Sequence, residues 1–203
     1  DEAQLVLSAF LIMLGFGQLI AGTLSDRIGR RPVLVYGSLL FLLTGLGALF
    51  STSIEMLVAM RIVQGLGAAT CMAMGRVIIS DSFQRAEAGR QMSTITMFQS
   101  VVPLLGFAFG GVMADLVGWR GSVGLMVVTA AIVFLGTSLL LAESRDPSIK
   151  PVPASRIIVV YVQLLVTPLF IANAMMAATV TAVFFSMGGF LPYEFKRLGS
   201  SAF

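Results

Sequence analysis

The chain has 203 residues, of which 57% are hydrophobic and only 11% are charged, and its formal net charge is +3. A soluble domain carries about 25% charged residues, so this composition argues against a soluble domain and for a membrane protein. The sequence has no histidine and a single cysteine, Cys71, which excludes an internal disulfide and thiolate–imidazole metal clusters. We therefore expect no metal site.

Six apolar segments are long enough to cross a bilayer, since about 20 helical residues span about 30 Å of hydrocarbon. A shorter apolar stretch, 157–167, precedes the last of them and is predicted to be an interfacial helix that leads into the span. The sequence thus predicts an all-α polytopic membrane protein. The predicted spans are 5–23, 33–50, 56–79, 92–114, 121–142 and 168–191.

The cations between the spans predict the orientation, because lysine and arginine are enriched on the cytoplasmic side of membrane proteins. Nine cations fall on one side and three on the other, which places the segments 24–32, 80–91 and 143–156 in the cytoplasm. The nine are Arg27, Arg30, Arg31, Arg76, Arg85, Arg90, Arg145, Lys150 and Arg156, and the three are Arg120, Lys196 and Arg197. Arg61 lies inside a span.

The first span carries small residues at every fourth position, Gly17, Ala21 and Ser25, a spacing that predicts close contact with a second helix. It runs into the stretch 22–32, GTLSDRIGRRP, which concentrates an acid and three arginines between two apolar runs. The glycines at both ends of this cluster predict a tight turn between two spans.

Polar groups within the third span stand out because a charge at membrane depth costs several kcal/mol unless it is paired or hydrated. Arg61 lies about five residues into the span, with Gln64 one turn further on the same face and Gly65 beside it. This stripe favours a water-lined interior face over a side chain that extends to the outer interface. Arg76 is nearer the cytoplasmic end, where extension of the side chain to the interface is the better explanation.

The fourth span contains the sequence VVPLLGFAFGG at 101–111, with a proline and three glycines: Pro103, Gly106, Gly110 and Gly111. In a membrane helix such a run predicts either a hinge or a surface for static packing, and both interpretations stay open. GLGAAT at 65–70 is like the start of a dinucleotide turn, but it lies in a helical run and not after a strand. No catalytic set of residues is present, so we expect no enzyme.

Two of these motifs carry a resemblance to a known family. The stretch 22–31 resembles the loop motif between helices two and three of major facilitator superfamily transporters. Arg61, Gln64 and Gly65, with Gly67 and Ala68, are similar to the helix-four motif of that superfamily. The register implies that the six spans are helices two to seven of a twelve-helix bundle, so that helix one is missing.

Within the superfamily the chain is most similar to bacterial drug:proton antiporters of the bicyclomycin-resistance (Bcr/CflA) type. The supports are the helix-four motif, DLVGWR at 115–120 and the proline–glycine run. That run departs from the antiporter pattern, because Gly106 is followed by Phe107 and not by proline. The resemblance implies proton-coupled efflux of drugs or other small amphipathic molecules. Proton-coupled uptake of a sugar, organic acid or other metabolite is the alternative, and a non-transporting receptor or scaffold is the alternative of another class.

The resemblance also implies an organisation of the chain. Residues 1–142 would form most of the N-terminal bundle, 143–167 the cytoplasmic linker with its interfacial helix, and 168–203 the start of the C-terminal bundle. The implied partners are the bilayer of the bacterial inner membrane and a small substrate, with no nucleic acid, no cofactor besides the proton, and a monomeric state.

Roles for individual residues follow from the same resemblance. The gating loop would comprise Gly22, Asp26, Arg27, Gly29, Arg30 and Arg31, with Arg30 latched to Asp81. Arg61 would favour ionisation of a proton-carrying acid on the missing helix, together with Gln64 and Gly65. The helix-five hinge would comprise Pro103, Gly106, Gly110 and Gly111. The candidates for lining the substrate cavity are Gln18, Met72, Asn173 and Phe184.

Overall fold

A computed structural model describes residues 2–146, 148 and 153–197. Its side chains are described at 5–106, 108–146, 148, 153, 155–179 and 181–183. Within these ranges the chain is helical and contains no strand. The described residues fall into two compact units, one up to residue 148 and the other from residue 153 onward.

The first unit contains five helices: α1 (Glu2–Ile28), α2 (Arg30–Leu49), α3 (Ile54–Ser82), α4 (Arg85–Val117) and α5 (Trp119–Leu140). All five are long and apolar enough to cross a membrane. Each corresponds to one of the first five predicted spans, of which 33–50 extends one residue beyond α2 and 121–142 two residues beyond α5.

The second unit contains α6 (Ala154–Leu165) and α7 (Pro168–Arg197), which meet at a bend of 79°. The segments Ser155–Leu165 and Pro168–Val183 qualify as a span only as a pair. The predicted interfacial helix and sixth span therefore correspond to α6 and α7. The bend falls beside Pro168, whose ring cannot continue a preceding helix without a kink.

The predicted segments between spans are shorter in the structure, because the helices continue past the apolar residues. Only Gly29 separates α1 from α2, and only Phe83 and Gln84 separate α3 from α4. The expectation of loops at 24–32 and 80–91 was therefore wrong. A charged residue marks where a helix leaves hydrocarbon, but the backbone hydrogen bonds of the helix continue into the interface because they do not depend on side-chain polarity.

Close contacts between helices are made through glycine. A Cβ atom on Gly17 of α1 would lie 2.7 Å from the Cβ of Ala69 on α3, and one on Gly67 would lie 2.7 Å from the carbonyl oxygen of Gly37 on α2. Ala21 and Ser25 are buried. The predicted small-residue stripe of α1 is thus confirmed as a packing surface.

Helix α4 is a single helix through Pro103. A Cβ atom on Gly106, Gly110 or Gly111 would meet nothing within 4 Å. The Cβ side of these glycines faces no neighbour, but the carbonyl oxygen of Gly110 accepts from the hydroxyl of Ser122 on α5 at 2.7 Å. The hinge and static packing both stay open as predictions.

Substitution of Gly67 tests whether this packing limits stability. We expect Gly67→Ala to destabilise the fold by about 1–3 kcal/mol, because the methyl group would meet the backbone of α2 and not a flexible side chain. Gly15→Ala is the matched control, since the added Cβ meets nothing within 4 Å and alanine favours the helix. Thermal unfolding of the purified protein in detergent measures both. Equal midpoints for the two variants would contradict the packing argument.

Candidate functional site

The arginine-rich end of the first unit is organised around the side chain of Arg30. Its Nη1 donates to Oδ1 of Asp26 at 2.6 Å, and its Nε donates to Oδ2 of Asp81 at 2.9 Å. Nη1 also donates to the hydroxyl of buried Ser25 at 2.9 Å. The predicted contact between Arg30 and Asp81 is present, and it joins the ends of three helices, α1, α2 and α3. All these groups belong to one unit, and their role in gating stays a prediction.

Gly29 makes this arrangement possible at the backbone level. Its backbone φ is +104°, a value that residues with a Cβ atom rarely adopt. This conformation lets a single residue, Gly29, connect the end of α1 to the start of α2. A Cβ atom on Gly29 would also collide with the carboxylate of Glu143. Gly22, the other glycine predicted for this turn, lies inside α1 with open space around it, so the tight turn depends on Gly29 alone.

Glu143 is a participant that sequence reasoning missed. The first N–H groups of a helix have no partner within the helix, and Gly29 has no side chain that could cap α2. Glu143, just beyond α5, supplies the cap: Oε1 accepts from the N–H of Arg30 at 2.8 Å and Oε2 from that of Arg31 at 3.2 Å. A carboxylate at a helix N-terminus also interacts favourably with the helix dipole.

Two arginines make the reciprocal contacts at helix C-termini, where carbonyl groups lack partners. Arg145 donates from Nη1 to the carbonyl oxygen of Arg27 at the end of α1, at 3.1 Å. Arg31 donates from Nη2 to the carbonyl oxygen of Ser138 at the end of α5, at 2.9 Å. We call Asp26, Arg30, Arg31, Asp81, Glu143 and Arg145 the helix-end cluster.

The titration of Glu143 reflects its position. Desolvation by its neighbours opposes ionisation, but the backbone N–H groups that it accepts from outweigh this and lower the pKa of Glu143. The donors are those of Arg145, Arg30, Arg31 and Ser144. Since Glu143 is exposed, water and salt screen its charge, and we expect a contribution to stability on the order of 1 kcal/mol or less.

A second polar group lies within α3. Nη1 of Arg61 donates to Oε1 of Gln64 at 2.9 Å and contacts the sulfur of Met126 on α5 at 3.4 Å. Gln64 is fully buried and donates to the carbonyl oxygen of Phe41 at 3.4 Å. Arg61 and Gln64, which the sequence places on one face of the helix, are thus hydrogen-bonded to each other. Nε of Arg61 is buried and has no partner among the described residues, so the guanidinium retains unused donor capacity.

Gly65 does not line a cavity as predicted. A Cβ atom there would lie 2.6 Å from the carbonyl oxygen of Phe10 and 3.0 Å from the Cβ of Met13, both on α1. The glycine therefore permits the contact between α1 and α3.

The four candidates for the substrate cavity are divided between the two units. Gln18 lies half-buried on α1 and Met72 exposed on α3, both in the first unit. Asn173 lies exposed on α7 in the second unit and donates to the carbonyl oxygen of Leu169 at 2.8 Å. The side chain of Phe184 lies outside the described residues. Their assignment to a cavity stays a prediction.

The profile of the Major Facilitator Superfamily matches residues 1–203. The chain belongs to this superfamily. Membership confirms the resemblance seen in the motifs at 22–31 and 61–68, and it groups the chain with transporters and not with enzymes. Together with the five apolar helices, it makes the chain an integral membrane protein.

Relatives within the superfamily include proteins named for drug resistance. The chain is 33% identical over 146 residues to a chloramphenicol resistance protein of Pseudomonas aeruginosa, covering 70% of this chain and 32% of that protein. It is 33% identical over 153 residues to multidrug resistance protein D of Escherichia coli (strain K12), covering 75% of this chain and 38% of that protein. The chain thus spans about a third of the length of these relatives.

A crystal structure of a mutant of the peptide transporter POT shares the fold. Its TM-score to this chain is 0.58, at 18% identity, and the match covers 95% of this chain and 38% of the other. At this identity the likeness concerns the major facilitator fold alone.

The cap that Glu143 provides predicts a pH-dependent contribution to stability. Because its pKa is lower in the folded protein than the ordinary value of 4.5, the contribution is present above that value and is lost as the pH falls through the folded pKa. We expect Glu143→Gln to be less stable than the native protein at pH 7 and the difference to shrink as the pH approaches 3. Thermal unfolding across this range measures it.

The control for this experiment is Glu87→Gln, which removes an exposed carboxylate in the first turn of α4. We expect it to follow the native profile more closely than Glu143→Gln does. A native-minus-Glu143→Gln difference that grows toward pH 3 would contradict the assigned role of Glu143.

Proposed function

We propose that this chain is part of a proton-coupled efflux transporter for drugs or other small amphipathic molecules in the bacterial inner membrane. The observation that carries the proposal is the arginine at membrane depth, Arg61, held by Gln64 within an apolar helix. A charge there is costly unless it is hydrated or paired, so it marks a functional position. The relatives named for chloramphenicol and multidrug resistance support the choice of substrate class.

Arg61 would act on the coupling proton through its fixed charge. A guanidinium remains protonated, and it stabilises the ionised form of an acid placed near it. Binding of a proton to that acid would weaken the attraction to Arg61, and substrate would exert the same effect by competing for the site. The unused Nε donor of Arg61 is the group available for such an acid.

The helix-end cluster would stabilise one state of the alternating-access cycle. Arg30 has a side chain that is 13% exposed and Asp81 one that is 26% exposed, so the pair is only partly screened by water. Partly exposed ion pairs are worth about 1 kcal/mol, and such a contact can form and break within a transport cycle. A fully buried network would hold the helix ends too firmly.

Efflux is tested in cells that lack their own drug pumps and express the protein from its complete coding sequence. We expect decreased susceptibility to chloramphenicol and extrusion of ethidium that stops when a protonophore collapses the proton gradient. Extrusion that persists without the gradient would contradict proton coupling. Gradient-driven accumulation of a sugar or organic acid inside the cells, without drug extrusion, would favour the uptake alternative.

Substitution of Arg61 tests its role in coupling. We expect Arg61→Ala to abolish proton-driven transport, because the charge that favours the ionised acid is lost, while the amount of folded protein in the membrane stays close to native. Arg61→Lys keeps the charge but not the planar fork of donors on separate nitrogens, and it should retain part of the activity. Normal drug extrusion by Arg61→Ala would refute the role.

Substitution of Arg30 tests the helix-end cluster. We expect Arg30→Ala to lower stability by about 1–2 kcal/mol, since both carboxylates lose their shared partner, and to lower transport by more than the loss of folded protein explains. Arg85→Ala is the matched control, because it removes an exposed cation at the start of α4 that lies outside the predicted gating loop. Equal transport by the two variants would exclude a specific role for Arg30.

A further inference from the structure

A third arginine, Arg76, contacts an amide on the neighbouring helix. Its Nη2 donates to Oε1 of Gln99 on α4 at 3.1 Å. The sequence predicts that this side chain extends to the cytoplasmic interface, but the position of Gln99 indicates the opposite direction. Near this contact, a Cβ atom on Gly75 would lie 4.0 Å from the side chain of Ile95, so α3 and α4 pass close to each other here.

The depth of the two residues follows from the helix lengths. Arg76 lies six residues before the end of α3 at Ser82, or about 9 Å at 1.5 Å per residue. Gln99 lies fourteen residues after the start of α4 at Arg85, or about 21 Å. Since these helix ends are joined by two residues, Gln99 is deeper than Arg76. Helical side chains point toward the N-terminus of their helix, which for Arg76 is also the deeper direction.

The guanidinium of Arg76 has no acidic partner among the described side chains, and it is exposed. The same level of α4 contains another polar group without its helical partner. Pro103 has no N–H, so the carbonyl oxygen of Gln99, four residues earlier, cannot make its usual helical hydrogen bond. At this level of an apolar helix pair the freed carbonyl group requires a donor such as water, and the cation requires water or an anionic ligand.

The donors of this pair converge. Gln99 uses Oε1 to accept from Arg76, which leaves its NH₂ group as a donor beside the remaining guanidinium N–H groups. Adjacent donors of this kind match a carboxylate, which accepts two parallel charge-assisted hydrogen bonds. We infer that Arg76 and Gln99 form a binding site for the carboxylate of an amphipathic substrate; this inference rests on the proposed transport of such molecules.

The surroundings of the pair are apolar and accessible. Met72 lies one turn from Arg76 on α3, and Val102 lies one turn from Gln99 on α4; both side chains are exposed. A ligand held at its carboxylate by Arg76 and Gln99 therefore has flexible and apolar side chains for its hydrophobic part. The site selects substrates that combine an acidic group with an aromatic or aliphatic body.

Binding of two matched dyes tests the inference. Rhodamine B and its ethyl ester share one xanthene ring system and differ in whether the carboxylate is free. Their fluorescence anisotropy is measured with the full protein in lipid nanodiscs, and empty nanodiscs correct for partition into lipid. We expect Arg76→Gln to weaken binding of rhodamine B by about tenfold or more, since a charge-assisted pair is lost, and to change binding of the ester less than about twofold.

Three further variants separate the site from a structural role. Gln99→Leu should weaken rhodamine B selectively, and Arg76→Lys should weaken it less than Arg76→Gln because the charge remains. Arg90→Gln, which removes an exposed cation from the first turns of α4, should change neither dye. Equal affinity of the native protein for the two dyes, or a change of both dyes together in Arg76→Gln, would overturn the inference.

The outcomes also distinguish this site from the proposed function. If the native protein exports chloramphenicol but does not bind rhodamine B selectively, the inferred carboxylate site is contradicted and the proposed efflux function is supported. Selective rhodamine B binding without any drug efflux would support the site and contradict the proposed function.

Discussion

The N-terminus of α2 is the point on which the arginine-rich end of the first unit depends. A helix begins with N–H groups that need partners, and Gly29 brings no side chain to satisfy them. Glu143 does so from the end of α5, and this fixes the first turn of α2 where the side chain of Arg30 reaches Asp26 on α1 and Asp81 on α3. The ends of four helices thus meet at one residue, through its backbone and its side chain.

The ion pairs between side chains in this arrangement are predictable from sequence, but the contact of Glu143 with backbone N–H groups is not. Asp26, Arg30 and Asp81 are charges beside apolar runs, and both their types and their spacing in the motif predict that they pair. Glu143 contacts N–H groups more than one hundred residues away, and backbone groups leave no trace in sequence. The available signal was an acid directly after the predicted span 121–142, on a side where cations dominate. Gly22 and Gly29 illustrate the same limit, because only dihedral angles distinguish the glycine of a turn from one inside a helix.

The number and kind of the helices follow from hydropathy, because the bilayer fixes the length of an apolar run. The positions of their ends do not, since a helix continues into the interface as long as its backbone hydrogen bonds can form. The direction in which the side chain of Arg76 extends was also not predictable from hydropathy. Its distance from the membrane surface favoured extension outward, but the partner that decides its direction is an amide on another helix.

Differences in packing within the first unit suit a transporter. Glycine contacts bring α3 against α1 and α2 at distances that allow no added methyl group, so these three helices resist relative motion. Helix α4 has no buried residue in its most apolar window, and a Cβ atom added to any of its three clustered glycines would meet nothing within 4 Å. Alternating access requires elements that move as rigid bodies and surfaces on which contacts can be exchanged. Arg61 and Arg76 are both anchored on the rigid α3, and Gln99 lies on α4. A site formed by Arg76 and Gln99 would therefore change shape whenever α4 shifts, and its affinity for substrate would follow the state of the cycle.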